Sequence, residues 1–316
     1  MFRIDKDLAD KFVFRRDKKL WCYYSKEINP DEIMKVLTET SYFLNIPKDN
    51  ILRDSRNLLA LYKFSINTGL INRTPTVGYC SGRIYPTCVF RAINRTATVE
   101  KKEFILKKFS NKTPSEWLKY GLRTSKAIRG WKKAYEFLRR NINTPQPFLL
   151  LEKRLAGFLI YSCLLVEKIN DFVPLRETLT KYRKDTNGIL QGEKKIFLTK
   201  LAKYVSDMHN SGIVHRDLSG GNVLIQNAYD LDKIKFTVID INRARIKKIL
   251  SINDRMKDLE RIRIEPDDRL FFFQNYCDSN EMFERYKAMY LMRLEQYRYK
   301  RKHKPFMKKL FGKLFE

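Results

Sequence analysis

One stretch limits what this chain can fold into more than any other. Residues 209–225 read HNSGIVHRDLSGGNVLI, and FTVIDINRARI begins at Phe236. Asn222 follows Asp217 at a five-residue step, and Asp240 stands 23 residues beyond Asp217. Together they describe an apolar helix, a turn at Gly212, a polar loop, a short apolar strand and a second strand ending in a carboxylate. The strands read as Asn222–Gln226 and Phe236–Ile241, with Phe236 and Val238 inward by alternation. Gly220 and Gly221 are expected to allow the loop its tight path.

The same residues point to a chemistry. Moving a phosphoryl group to an alcohol needs an oriented hydroxyl and metal-neutralised phosphoryl oxygens, with little covalent help from the protein. His215-Arg216-Asp217 followed by Asn222 is the H-R-D-x-x-x-x-N pattern in full. Asp217 is placed to take the hydroxyl proton. Asn222, where the loop turns back, and Asp240, at a strand end, are candidate magnesium ligands. His215 reads as a structural residue of the loop rather than a proton carrier, and Arg216 as one with a structural or electrostatic partner.

The rest of the chain sorts into two halves. Pro30-Asp31-Glu32 opens a helical stretch to about Leu44, and residues 58–109 read as strands and turns. A helix is expected from about Ser125 to Arg140, with Ala127, Trp131, Ala134, Tyr135 and Leu138 at helical spacing. Two strands follow, LLLEKR and GFLIYSCLLVEKI, with a turn near Leu155. From Gly192 onward helices dominate. This is an α+β order with two lobes, 1–166 and 167–316, and a ligand cleft expected between them.

Composition narrows the partners. Of 316 residues, 64 are Lys or Arg and 36 Asp or Glu, for a formal net charge of +28. That surplus calls for an anionic partner: a nucleic acid, an acidic membrane surface or a polyphosphate. Five scattered cysteines with no C-x-x-C pair argue against a disulfide framework or zinc ribbon and for a reducing compartment. The N-terminus has no apolar run of signal-peptide length, and the longest apolar candidate, Ala156–Val166, is too short to span a bilayer. A cytoplasmic protein, soluble or peripheral, is the expectation.

At this point the chain resembles the lipopolysaccharide kinases, the Kdo and heptose kinases related to protein kinases. The matching text is SKAIRGWKKAYEFLRRNINTPQPFLLLE, LVEKI, VHRDLSGGNVLI, VIDINRARI and the run Leu250–Ile262, over roughly residues 50–263. The resemblance implies a protein-kinase-like fold, with an antiparallel sheet and one helix in the first lobe and a mostly helical second lobe. It implies ATP and Mg2+ as cofactors, Asp217 as base, and Asn222 and Asp240 at the metal. Lys107 on FILKKF would anchor the nucleotide, Lys108 facing the other way, and Glu167 in LVEKI would sit at the nucleotide-binding hinge. The implied acceptor is an anionic glycolipid of the Kdo–lipid A type, met at the cytoplasmic face of the inner membrane.

The chain departs from that pattern in three places. No G-x-G-x-x-G precedes the lysine strand; Gly69, Gly78 and Gly82 are the only candidates. Ile128 stands where the helix would offer the lysine a carboxylate, and Glu136 comes two turns later. Ile241 and Asn242 follow the metal aspartate, with no A-P-E beyond, so the switch of regulated protein kinases has no evident parts. The C-terminal stretch places Phe306, Met307, Leu310, Phe311, Leu314 and Phe315 opposite Lys308, Lys309 and Lys313. It reads either as an interfacial helix on an anionic membrane or as a helix docked on its own domain. A small atypical Ser/Thr kinase and a non-enzymatic basic module remain as alternatives, nucleic acid being the less expected partner. Oligomeric state leaves no mark on the sequence.

Overall fold

The computed structural model describes residues 12–17, 20–25, 51–53, 57–68, 98–110, 124–155, 158–185 and 190–312, with side chains to 303. The expected helix at 30–44, the glycines Gly69, Gly78 and Gly82, and the side chains of the C-terminal apolar stretch lie outside the described residues. The chain divides into two compact units, Met1–Trp131 with Gln146–Lys168 and Lys132–Pro145 with Ile169–Glu316. No helix among the described residues is long and apolar enough to cross a membrane.

The first unit is an antiparallel sheet. Its strands are β1 (Phe12–Asp17), β2 (Leu20–Ser25), β3 (Ile51–Arg53), β4 (Asn57–Thr68), β5 (Thr98–Ser110), β6 (Pro147–Leu155) and β7 (Phe158–Glu167). They lie in the order β1-β2-β6-β7-β5-β4-β3, every neighbour antiparallel. Such pairing needs no helical crossover, which fits a strand-rich stretch broken by turns. Strand β7 is apolar almost throughout, and Leu159, Tyr161, Cys163, Leu164, Leu165 and Val166 are all buried. The apolar stretch at 158–166 thus belongs to an interior strand of the sheet, between β6 and β5. Phe104 on β5 and Phe148 on β6 meet edge to face at 4.9 Å. Burial pushes the Cys163 thiol up to about 12, and Cys22, Cys163 and Cys277 are all free thiols.

Helix α1 (Lys126–Arg139) starts where the sequence places it. The Ser125 hydroxyl accepts from the Ile128 amide at 3.1 Å, capping one of the open N–H groups of the first turn. Its buried stripe is Ala127, Ile128, Trp131, Ala134 and Phe137. The stripe is rotated from the expected one, with Tyr135 and Leu138 half-buried. Ile128 is thus a packing residue. Ala134 and Phe137 belong to the core of the second unit.

That second unit is mostly helical. It contains β8 (Phe172–Pro174), α2 (Leu175–Lys184), α3 (Gln191–Asn210), β9 (Ile213–Val214), β10 (Val223–Gln226), β11 (Lys235–Val238), β12 (Arg245–Ile246), α4 (Ile252–Leu259), α5 (Arg269–Tyr276) and α6 (Asn280–Gly312). Helix α3 buries Phe197, Leu198, Leu201, Ala202, Val205, Met208 and His209, a stripe at three- and four-residue steps. Phe273 stacks on Tyr290 at 4.3 Å, tying α5 to α6. Truncating such an aromatic to alanine costs about 3–5 kcal/mol. Strand β10 pairs with both β8 and β11, and β9 with β12. Fold class is therefore α+β.

Candidate active site

The site is assembled at the end of α3. The helix stops at Ser211, and Gly212 takes φ +83°. A side chain there would collide with the carbonyl of Lys247, whose own amide donates to Gly212 O at 2.9 Å. Only glycine fits this turn. The chain then passes through β9 into the loop bearing Asp217.

A buried carboxylate carries that loop. Asp258, on α4 and fully buried, accepts from the His215 amide at 2.5 Å and the Arg216 amide at 2.6 Å. Arg216 is at φ +66°, a strained setting for a non-glycine residue that persists only where its surroundings fix it. His209 stands behind Asp258, with Nε2 at 3.4 Å from its Oδ2 and Nδ1 at 2.8 Å from the Tyr276 hydroxyl. Burial holds His209 below its usual range, against the pull of Asp258 in the other direction. His215 is buried, and its Nε2 lies 2.9 Å from the Ile239 carbonyl, linking this loop to the end of β11.

Strand pairing brings the three polar candidates to one place. Val223 faces Val238 across β10 and β11, and one step on the Ile239 amide donates to Asn222 O at 2.9 Å. Asp240 thus follows directly beside Asn222. The Asn222 side-chain nitrogen donates to the Asp217 carbonyl at 2.8 Å. A carbonyl can only accept, so the amide oxygen of Asn222 is turned away and left for a ligand. Asp240 is exposed, at φ +56°, with Asn242 Nδ2 3.4 Å from one oxygen. Lys133 of α1 donates to the Asn242 carbonyl at 2.5 Å.

The Asp217 carboxylate has two cations on it. Arg261 Nη1 is 2.7 Å from Oδ1, and Arg243 Nη1 is 3.4 Å from Oδ2. The sequence by itself singles out neither arginine, nor Asp258, as a site residue. The loop glycines also differ from expectation. Gly220 is required by close packing, since a Cβ would crowd the Arg176 backbone at 3.0 Å, whereas Gly221 faces open space.

The nucleotide candidates of the first unit lie on its sheet. Lys107 pairs with Leu164 across β5 and β7, and Leu164 pairs with Leu150 on β6. Glu152, two residues along β6, shares their face of the sheet by alternation. It is buried, with Oε2 3.1 Å from Arg154 and Oε1 without a hydrogen-bond partner among the described residues. Lys108 is on the opposite face, 5.6 Å from the Tyr161 ring. Glu136 is engaged within its own helix by Arg139 at 2.9 Å and Arg140 at 3.4 Å. Glu167 ends β7, its amide donating to Gln146 O at 2.8 Å.

Known proteins offer two likenesses to this chain. Residues 86–277 match the model of the lipopolysaccharide kinase (Kdo/WaaP) family. Among solved structures, one that this chain is similar to is titled "WaaP in complex with acyl carrier protein". The two are 18% identical over 63% of this chain and 79% of that one, with a TM-score of 0.49. A search of curated proteins returned no match. The family match spans more than half of the 316 residues. The chain therefore belongs to the lipopolysaccharide kinase (Kdo/WaaP) family, whose members are phosphotransferases acting on core sugars of lipopolysaccharide.

Proposed function

We propose that this protein is an ATP- and magnesium-dependent kinase acting on a sugar hydroxyl of the lipopolysaccharide inner core, Kdo or heptose, at the cytoplasmic face of the membrane. The observation that carries the reading is the clustering of Asp217, Asn222 and Asp240 by β10, β11 and the Asp258-anchored loop. Asp217 accepts the proton of the attacking hydroxyl. Arg261 keeps its carboxylate in one orientation before the acceptor arrives.

The donor set fits a hard cation: one carboxylate and one amide oxygen, side by side, with no sulfur or imidazole. Asn222 and Asp240 are the residues that would hold magnesium, with Lys107 and Glu167 at the nucleotide and the buried Glu152 as the acid on the lysine's face of the sheet. When bound, magnesium–ATP supplies the phosphoryl group and the charge neutralisation on its oxygens.

A membrane-bound acceptor accords with α6. Met292 and Tyr299 are exposed seven residues apart, hence on one side of the helix, ahead of Lys300, Arg301 and Lys302. Such a mixture suits an anionic surface.

Purified protein with labelled ATP and magnesium is expected to label a Kdo–lipid A precursor and not generic protein substrates. The reverse result would sink the glycolipid assignment in favour of a protein kinase. Removing residues 304–316 is expected to weaken binding to anionic vesicles; unchanged binding removes the tail from the membrane contact.

A further inference from the structure

The base carries more cation than its own task explains. Arg261 and Arg243 together occupy both oxygens of Asp217, one of which an acceptor hydroxyl has to reach. Two guanidiniums on one carboxylate also leave a local surplus of one positive charge. The two arginines are not equivalent. Arg261 makes the short contact, 2.7 Å, with its side chain 33% exposed and its Nε buried without a partner among the described residues. Arg243 makes the long one, 3.4 Å, and is 71% exposed. It rides on the turn Ile241–Arg243, three residues after the proposed metal ligand Asp240 and 26 after Asp217. An exposed ion pair at such a distance is weak and easily exchanged.

We propose that Arg243 reads the acceptor. When an acidic sugar arrives, Arg243 leaves Asp217 Oδ2 and takes hold of a carboxylate or phosphate adjoining the reactive hydroxyl. The vacated Oδ2 receives that hydroxyl. Its proton passes to Oδ2, its oxygen forms the new bond to the γ-phosphorus, and the bond to the departing ADP oxygen breaks. Arg261 remains on Oδ1 throughout and holds the carboxylate in place.

The exchange selects for acidic acceptors by simple competition. A neutral sugar offers Arg243 nothing better than Asp217, so the base stays covered. An acidic one offers a planar or tetrahedral anion that a guanidinium can grip with two parallel N–H bonds. This inference rests on the proposed role of Asp217 with an anionic glycolipid, and it assigns the anion-reading part of that role to one side chain.

The experiment is steady-state kinetics of the full chain with magnesium–ATP and a Kdo–lipid A acceptor. Arg243→Gln is expected to raise the acceptor KM about tenfold to a hundredfold, the worth of a lost charge-assisted bond. The KM for ATP is expected to stay within about twofold. Arg243→Lys recovers part of the loss, keeping the charge without the fork. Two altered acceptors identify the anion, one with its sugar carboxylate esterified and one without its lipid phosphates. Wild type and Arg243→Gln become equal on the acceptor that lacks the anion Arg243 binds. An unchanged acceptor KM, or a penalty that persists in full on both altered acceptors, overturns the assignment. If wild type phosphorylates no glycolipid, the acceptor reading itself has failed, and that result appears before any variant is made.

Discussion

The loop at 215–222 and the turn at 240–243 share a local feature and differ in how they are held. Each contains a non-glycine residue in the left-handed region, Arg216 at φ +66° and Asp240 at φ +56°. The first loop hangs from a buried carboxylate, Asp258, through two short main-chain bonds. The second is tied by main-chain bonds from Ile239 to Asn222 and from Ala244 to Ile241, and by Lys133 on the Asn242 carbonyl. Asp217 is braced by Arg261, while Asp240 stands exposed with one long contact. A base has to be aimed before its substrate arrives. A metal ligand completes its geometry together with the ion and the phosphates. Rigid support is concentrated at the first loop, as the roles proposed for Asp217 and Asp240 would require.

The sharpest break of that comparison is Asp217→Asn. It is expected to lower kcat by about 10²- to 10⁴-fold. Stability should move by no more than the roughly 1 kcal/mol of a part-exposed ion pair. Retained turnover would show that the braced loop does not carry the base.

Next comes Asp258→Ala, which strands the His215 and Arg216 amides in the interior. It is expected to lower unfolding stability by about 2–5 kcal/mol, measured in urea, and to lower kcat with it. Full stability in this variant would remove the distinction between an anchored loop and a tethered one.

Lys133→Met tests the tethered turn. A loss of about 1.5 kcal/mol or less in stability is expected, with a weaker apparent affinity for magnesium as the main kinetic change. A loss as large as that of Asp258→Ala would mean that both loops are anchored alike.

The smallest effect concerns pH. Burial keeps His209 neutral in the folded protein, while the unfolded chain takes up a proton near pH 6.5. The folded value is the lower one, so this contribution is full above about pH 6.5 and is lost as pH falls through it, by at most about 1.4 kcal/mol per pH unit. His209→Gln should flatten the decline in thermal stability between pH 7 and 5. Parallel curves for the two proteins would clear His209 of that role.

Local pattern carried much of the fold. The Ser125 cap, the stop at Gly212, the alternation along β5 and the apolar run of β7 are short-range signals, and each became the expected element. The exceptions are instructive. Helix α1 buries Ile128 and Phe137 rather than Tyr135 and Leu138, because a helix with apolar residues on more than one side takes its orientation from what covers it. Gly220 is needed for the approach of Arg176, a neighbour 44 residues earlier in the chain, and not for its own dihedral angles.

By itself, the sequence named Asp217, Asn222 and Asp240 as the candidates for the proposed phosphoryl transfer, since their identities and spacing survive any packing. It also determined the α+β class, because strand and helix periods are written into neighbouring residues. Tertiary structure alone decided what holds the Asp217 loop and what contacts its carboxylate. Asp258 reaches the loop from 42 residues away, Arg261 from 44 and Arg243 from 26. A buried carboxylate and two arginines look in sequence like any others in so basic a chain. Only folding turns one into an anchor for the loop and brings the other two, one closely and one more loosely, onto the Asp217 carboxylate.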